Sequence, residues 1–308
     1  VDSFQIRPDL DRNAARVELT IARDSAAGSA AGSVELRAAS YNHEGESHMP
    51  GTQSFGYQFA DGEESIKLTA EYQMGSGVLL WDEFTPNLYE MTAVLRFQDG
   101  AKMRASVEKE SFGMRKFEAL YREDGGKQFA VNGRATQLRG EINCAVFPLT
   151  GYAPMDLESW LNVMQTYKDY GMNHVRFHTW VPPKAAFQAA DQLGLYLDYE
   201  LPQWGNKMFG DIDKGDSTDA DYYWEEATRI FDSYLNSPSA VMMSLGNELR
   251  PGFYYYDVFL ERCAELEPEL LYTDIAGWSA YSENVEFSGS VPTYGVNYLH
   301  RVDPSTDW

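Results

Sequence analysis

Cysteine is scarce in this 308-residue chain, with Cys144 and Cys263 its only two. Two are too few for a disulfide framework, and neither sits in a metal-binding spacing. Basic residues are also short, 25 Lys and Arg against 47 Asp and Glu, for a formal net charge of −22. Nucleic acid and anionic membranes both demand basic patches, so neither is an expected partner. No apolar run approaches the ~20 residues that span a bilayer, and no membrane insertion is expected. A G-x-S-x-G nucleophile elbow is absent, which sets aside an esterase. So is a glycine-rich phosphate loop, which weakens nucleotide binding. No metal and no cofactor is expected. No signal peptide is visible. With Val1 in first place, a leader or a longer N-terminal region removed ahead of it is the expectation, along with an extracellular or periplasmic location.

Aromatics, in contrast, are plentiful: 20 Tyr, 16 Phe and 7 Trp. They build cores first, and only secondarily suggest surfaces that stack on sugars. A hydrophobic content of 44% fits a globular protein, and the length admits two domains. Through residues 1–125 the pattern is alternating: Arg16 to Ile21, Val34 to Ala38, Ile66 to Tyr72, Tyr89 to Phe97 and Met103 to Val107. Turn-rich pieces separate these runs, with no helical period between them, which predicts a β-sandwich. His43 and His48 share a loop with Glu44 and Glu46, but they lack rigid spacing and read as solvated.

From residue 126 to 308 strands alternate with helices. Asn132-Gly133 marks a hairpin turn. Asp156 caps a helix with Trp160, Leu161 and Met164 at helical spacing, and Pro182-Pro183 opens a second helix stopped at Gly194. Strands over Leu138 to Cys144, His174 to Trp180, Leu195 to Glu200, Val241 to Glu248, Leu270 to Trp278 and Tyr294 to His300 complete the pattern. Repeated βα units mean a parallel sheet with right-handed crossovers. A TIM-type barrel and a doubly wound sheet both fit, and the missing phosphate loop favours the barrel.

A barrel gathers its chemistry at the carboxyl ends of its strands. Those ends carry Glu141 and Asn143, then Arg176, His178 and Trp180, then Glu200 with Trp204, then Asn247 and Glu248, then Trp278, and last Tyr298 and His300. Carboxylates suit acid/base and nucleophilic work on an oxocarbenium-like transition state. Arg holds a neighbouring carboxylate ionised, and indoles pack against the apolar face of a pyranose.

The order of these pieces resembles glycoside hydrolase family 2, the β-galactosidase and β-glucuronidase group within the clan of retaining (β/α)8 glycosidases. Pro86-Asn-Leu-Tyr89 and Phe112-Gly-Met-Arg115 look like the close of that family's immunoglobulin-like domain. Phe129-Ala-Val-Asn-Gly133 and Leu138-Arg-Gly140 resemble its barrel entry. Gly171-Met-Asn-His-Val-Arg176, Ala190-Asp-Gln-Leu-Gly-Leu-Tyr-Leu197 and Ser244-Leu-Gly-Asn-Glu248 follow in family order. The resemblance implies an immunoglobulin-like β-sandwich over 1–125 and a TIM barrel over 126–308. It makes Glu248 the general acid/base, Asn247 a ligand of the hydroxyl beside the anomeric carbon, and Arg176 a contact of the nucleophile. Glu141, Asn143, His178, Trp180, Glu200, Trp204, Trp278, Tyr298 and His300 would bind substrate. The family has a His three places after the Arg, whereas here His178 comes two places on.

The implied function is an exo-acting retaining glycosidase that removes a terminal sugar from an oligo- or polysaccharide. The competing class is a catalytically silent carbohydrate-binding protein on the same fold. About six of the eight barrel strands are legible, so the barrel is expected to be incomplete at its C-terminus. Neither Glu283, Glu286, Asp303 nor Asp307 ends a buried strand, and no nucleophile is identified. A missing C-terminal segment or a homo-oligomer is therefore an expected partner.

Overall fold

In a computed structural model, residues 1–23, 30–121, 127–205, 218–249 and 254–273 are described. The chain divides into two units. The first comprises Val1–Trp81, Thr85–Arg115 and Leu235–Pro238; the second comprises Asp82–Phe84, Lys116–Tyr234 and Ser239–Trp308.

The first unit holds β1 (Ser3–Asp9), β2 (Ala14–Ala22), β3 (Ala31–Tyr41), β4 (Gln53–Gln58), β5 (Ser65–Gln73), β6 (Leu88–Asp99) and β7 (Lys102–Phe112). They form an antiparallel sheet in the order β1-β2-β5 and another in the order β4-β3-β6-β7. Alternation decides which side chains turn inward. Val17, Leu19 and Ile21 of β2 share one core with Val34 and Leu36 of β3 and Met91 and Ala93 of β6. His48 belongs to this framework, its Nδ1 2.8 Å from the Tyr89 hydroxyl and its Nε2 3.1 Å from the Ser76 carbonyl. Among the described residues no cluster of His, Cys, Asp and Glu is arranged to hold a metal.

The second unit opens with β8 (Phe117–Tyr121), β9 (Lys127–Val131) and β10 (Arg134–Thr136), a small antiparallel sheet. Asn132 and Gly133 turn the β9–β10 hairpin at φ 53° and 75°, the left-handed pair that the Asn-Gly sequence supplies. There follow β11 (Gly140–Asn143), α1 (Leu157–Asp169), β12 (His174–Phe177), α2 (Lys184–Leu193), β13 (Tyr196–Glu200), α3 (Thr218–Tyr234), β14 (Ala240–Ser244), α4 (Tyr254–Leu266) and β15 (Leu271–Thr273). Asp156 caps α1 by accepting from the Ser159 N–H at 2.8 Å. Gly194 closes α2 in the left-handed conformation at φ 72°.

The five strands β11 to β15 form one parallel sheet in unbroken chain order. A doubly wound sheet reverses its strand order at a switch point, and none occurs among the described strands. Two expectations need adjusting. The strand leading to Glu248 ends at Ser244, and the chain beyond it is irregular. The strand expected over Leu270 to Trp278 is described only for Leu271–Thr273, and that over Tyr294 to His300 lies outside the described residues.

Candidate functional site

Register sorts the strand residues into two faces, because partners in a parallel ladder point the same way. Gly140, His174 and Tyr196 align, as do Ile142, Arg176 and Asp198. Glu200 follows Asp198 on the same face of β13. Val175 and Phe177 take the other face, where Phe177 meets Trp160 of α1. Glu141 aligns with Val175 and Asn143 with Phe177. The structure therefore does not bring Glu141 and Asn143 to the face of Arg176. The Asn143 amide instead donates to the Tyr167 hydroxyl on α1 at 3.4 Å. Glu141 is exposed and accepts from the Ile142 N–H at 3.0 Å, while Arg139 pairs with Glu83 at 3.1 Å.

Arg176 and Glu200 meet as a buried ion pair, Nε to Oε1 at 2.6 Å, with side chains 5% and 0% exposed. The other Glu200 oxygen accepts from the Thr179 N–H at 2.6 Å. Arg176 also donates to Asn247 Oδ1 at 2.6 Å, which turns the amide NH2 of Asn247 away from the guanidinium. Four of the residues singled out from sequence thus lie at the ends of neighbouring strands: Arg176, Glu200, Asn247 and Glu248. Glu248 is half-buried, and its Oε2 accepts from the indole N–H of Trp204 at 2.8 Å. The β14 tail is stitched to the β13 tail by Asn247 N–H to the Gln203 carbonyl, 3.0 Å, and Gly205 N–H to the Asn247 carbonyl, 3.2 Å.

Backbone strain is concentrated here. Thr179 and Glu248 adopt φ of 59° and 52°, a region costly for side chains other than Gly and Asn, and residues held there cluster at functional sites. Gly246 stands at φ 150°, and a Cβ on it would lie 2.6 Å from the Gln203 carbonyl oxygen. Only glycine allows the two tails to approach this closely.

Trp180 takes a packing position. Its N–H donates to the Asn143 carbonyl at 3.0 Å, and its ring contacts Phe147, Trp160 and Phe177. His178 lies with its ring edge-on to Trp204, centroids 4.9 Å apart. Trp278, Tyr298 and His300, together with the four late acids Glu283, Glu286, Asp303 and Asp307, fall outside the described residues.

Sequence reasoning missed Asp198. Asp198 is fully buried, and among the described residues neither of its oxygens has a hydrogen-bond partner. Burial, and then the Glu200 charge, push its carboxyl well above the usual range, while Arg176 opposes them. The Asp-x-Glu spacing on a strand was the available signal. His174 is likewise buried, with Nδ1 2.9 Å from the Tyr196 carbonyl. Burial lowers its pKa to about 3, against the Tyr196 contact, with the Arg176 charge lowering it further. Its imidazole is neutral.

Residues 1–115 match the family model described as Glycosyl hydrolases family 2. A β-galactosidase of Leuconostoc mesenteroides is 26% identical over 254 residues, 80% of this chain and 23% of that protein. An exo-β-D-glucosaminidase of Streptomyces avermitilis is 28% identical over 155 residues, 46% of this chain and 16% of that protein. Among solved structures, a family 2 glycosyl hydrolase from Bacteroides cellulosilyticus aligns with a TM-score of 0.69 at 18% identity, covering 90% of this chain and 35% of that one. A β-galacturonidase from Eisenbergiella tayi, bound to galacturonate, aligns with a TM-score of 0.68 at 18% identity, covering 89% and 45%. Identity that low speaks for the fold alone. The chain spans less than a quarter of the two curated relatives.

Proposed function

We propose that this chain, a relative of the glycosyl hydrolases of family 2, carries the acid/base half of an exo-acting retaining glycosidase that releases a terminal sugar from an oligo- or polysaccharide. In this reading the two-sheet first unit is the family's immunoglobulin-like domain, and β11 to β15 are the first five strands of its (β/α)8 barrel. The observation that carries the reading is the Asn247-Glu248 pair, held at a strand end by backbone bonds to β13 and by the Arg176–Glu200 pair beneath. Glu248 would protonate the leaving oxygen, and the Asn247 amide would donate to the hydroxyl beside the anomeric carbon. Glu200 is engaged on both oxygens and buried, which suits a fixed anion that orients Arg176 and the Thr179 turn. It does not suit a nucleophile. A retaining mechanism needs a second carboxylate about 5–5.5 Å from the acid, and the family resemblance puts it on a seventh strand.

Saturation of Glu200 also keeps the second reading alive, a protein that binds carbohydrate without cleaving it. One experiment separates the two. Glu248→Ala should slow aryl glycosides with poor leaving groups at least about a hundredfold, the usual contribution of a general acid, and activated ones far less. Added azide should restore turnover of the activated substrates. Equal losses on both kinds, with no azide effect, remove Glu248 from the role. Millimolar monosaccharide binding with no turnover in a chain that includes the seventh strand supports the silent binder.

A further inference from the structure

We propose that Trp204 holds the Glu248 carboxyl by Oε2, so that Oε1 is the oxygen that carries and delivers the proton, with His178 bracing the indole. The inference rests on Glu248 as proton donor and makes Trp204 a positioning residue, a role different from the sugar-stacking one its sequence suggests.

The geometry is built from the backbone outward. Past β13 the chain does not leave the sheet, because Trp204 and Asn247 form a parallel bridge. The bonds from Asn247 N–H to Gln203 and from Gly205 N–H to Asn247 fix Trp204 one residue's reach from Glu248. Gly246 makes that approach sterically allowed. The indole N–H is a donor only, and it points at Oε2 over 2.8 Å. A lone pair on Oε2 spent in this way leaves Oε1 to bear the proton. In the acid step the proton passes from Oε1 to the glycosidic oxygen, the bond from that oxygen to the anomeric carbon breaks, and the carboxylate left behind keeps the indole bond.

Trp204 is exposed, so its ring needs a brace, and His178 supplies one at 4.9 Å in an edge-on contact. His178 is itself fixed. The Thr179 hydroxyl donates to the His178 carbonyl at 2.7 Å, so its oxygen accepts from His178 Nδ1 at 3.1 Å. Thr179 in turn donates its N–H to Glu200. A continuous series of contacts therefore runs from the buried Arg176–Glu200 pair through Thr179, His178 and Trp204 to Glu248.

The test uses the 308-residue chain labelled at the indole nitrogen. The Trp204 N–H resonance, assigned by its loss in Trp204→Phe, should shift with pH in one step. Glu248→Gln should abolish that step and His178→Ala should keep it. A step that survives Glu248→Gln, or that vanishes only in His178→Ala, overturns the proposal. On aryl glycosides, Trp204→Phe should lower kcat about tenfold for poor leaving groups while KM stays within about twofold, the signature of a contact used in the transition state. A stacking role predicts the reverse, with KM raised and kcat kept, and would also overturn it. A chain that turns over nothing lacks the second carboxylate and leaves the proposed function standing, and the indole titration then decides the contact by itself.

Discussion

Asp198 and Glu200 stand two residues apart on one face of β13 and meet opposite electrostatic conditions. Glu200 has Arg176 on one oxygen and the Thr179 N–H on the other. Asp198 has neither, and burial with the Glu200 charge pushes its carboxyl well up. Removing one partner of a buried pair leaves an uncompensated charge, at a cost of about 3–5 kcal/mol. Arg176→Met and Glu200→Gln should each lower the urea midpoint accordingly, and the double variant should lose much less than the sum. Additive losses would mean that the pair is not coupled. For Asp198 the sign is opposite. A carboxyl whose folded pKa is raised costs stability above the unfolded value near ~3.9, and that cost vanishes as pH falls below it. Asp198→Asn, neutral at every pH, should gain about 1–3 kcal/mol at pH 7. The gain should fade toward pH 4. Equal stability of variant and parent at pH 7 would contradict a raised Asp198 carboxyl.

At the scale of elements, the turns and caps carry the local chemistry. Gly194 ends α2 at φ 72°, and an added Cβ would lie 2.8 Å from the Asp82 carbonyl oxygen and 2.9 Å from Glu83 Cα. Gly194→Ala meets both the left-handed penalty, about 1 kcal/mol, and a backbone clash that cannot flex away. The loss in a urea titration should exceed that 1 kcal/mol; a smaller one would show that the Asp82–Glu83 backbone yields. These caps were legible in the sequence, as were β2, β3, β5, β6 and β7, because each is an unbroken alternation. Three strands were not, β8 among them. β1 carries only Phe4 and Ile6 as its inward pair and then Pro8, while β4 is a half-exposed edge strand interrupted by Gly56. Pairing was illegible too, since nothing local says that β5 joins β2 and β6 joins β3. The site was legible where polar residues lie at or just past the end of a buried strand, as Arg176, Glu200 and Asn247 do. It was misjudged where parity matters. Sliding β11 by one residue exchanges its faces, and the true register sends Glu141 and Asn143 toward α1's side of the sheet.

For the whole molecule, the excess of acids sets how stability answers to pH and salt. A net charge of −22 at pH 7 with a pI near 4.5 means self-repulsion that eases as pH falls. This term belongs to exposed charges, so salt removes most of it: the screening length shrinks from about 30 Å at 0.01 M to about 3 Å at 1 M. Asp198 and His174 are buried and escape that screening. Their signs differ. Asp198, raised, favours the folded state as pH falls toward ~3.9. His174, lowered to about 3, favours it above the unfolded value near ~6.5 and withdraws that support as pH drops. Each exchanges at most one proton, worth about 1.4 kcal/mol per pH unit. Below about pH 6.5 the two oppose one another. In 0.01 M NaCl the unfolding free energy should therefore rise more steeply than in 1 M NaCl as pH falls toward the pI, where the exposed carboxylates begin to take up protons. In 1 M NaCl what remains of the rise should be no steeper than the one-proton value. Urea titrations at half-unit steps in both salts read this directly. Identical slopes in both salts would show that the surface charge costs the fold nothing.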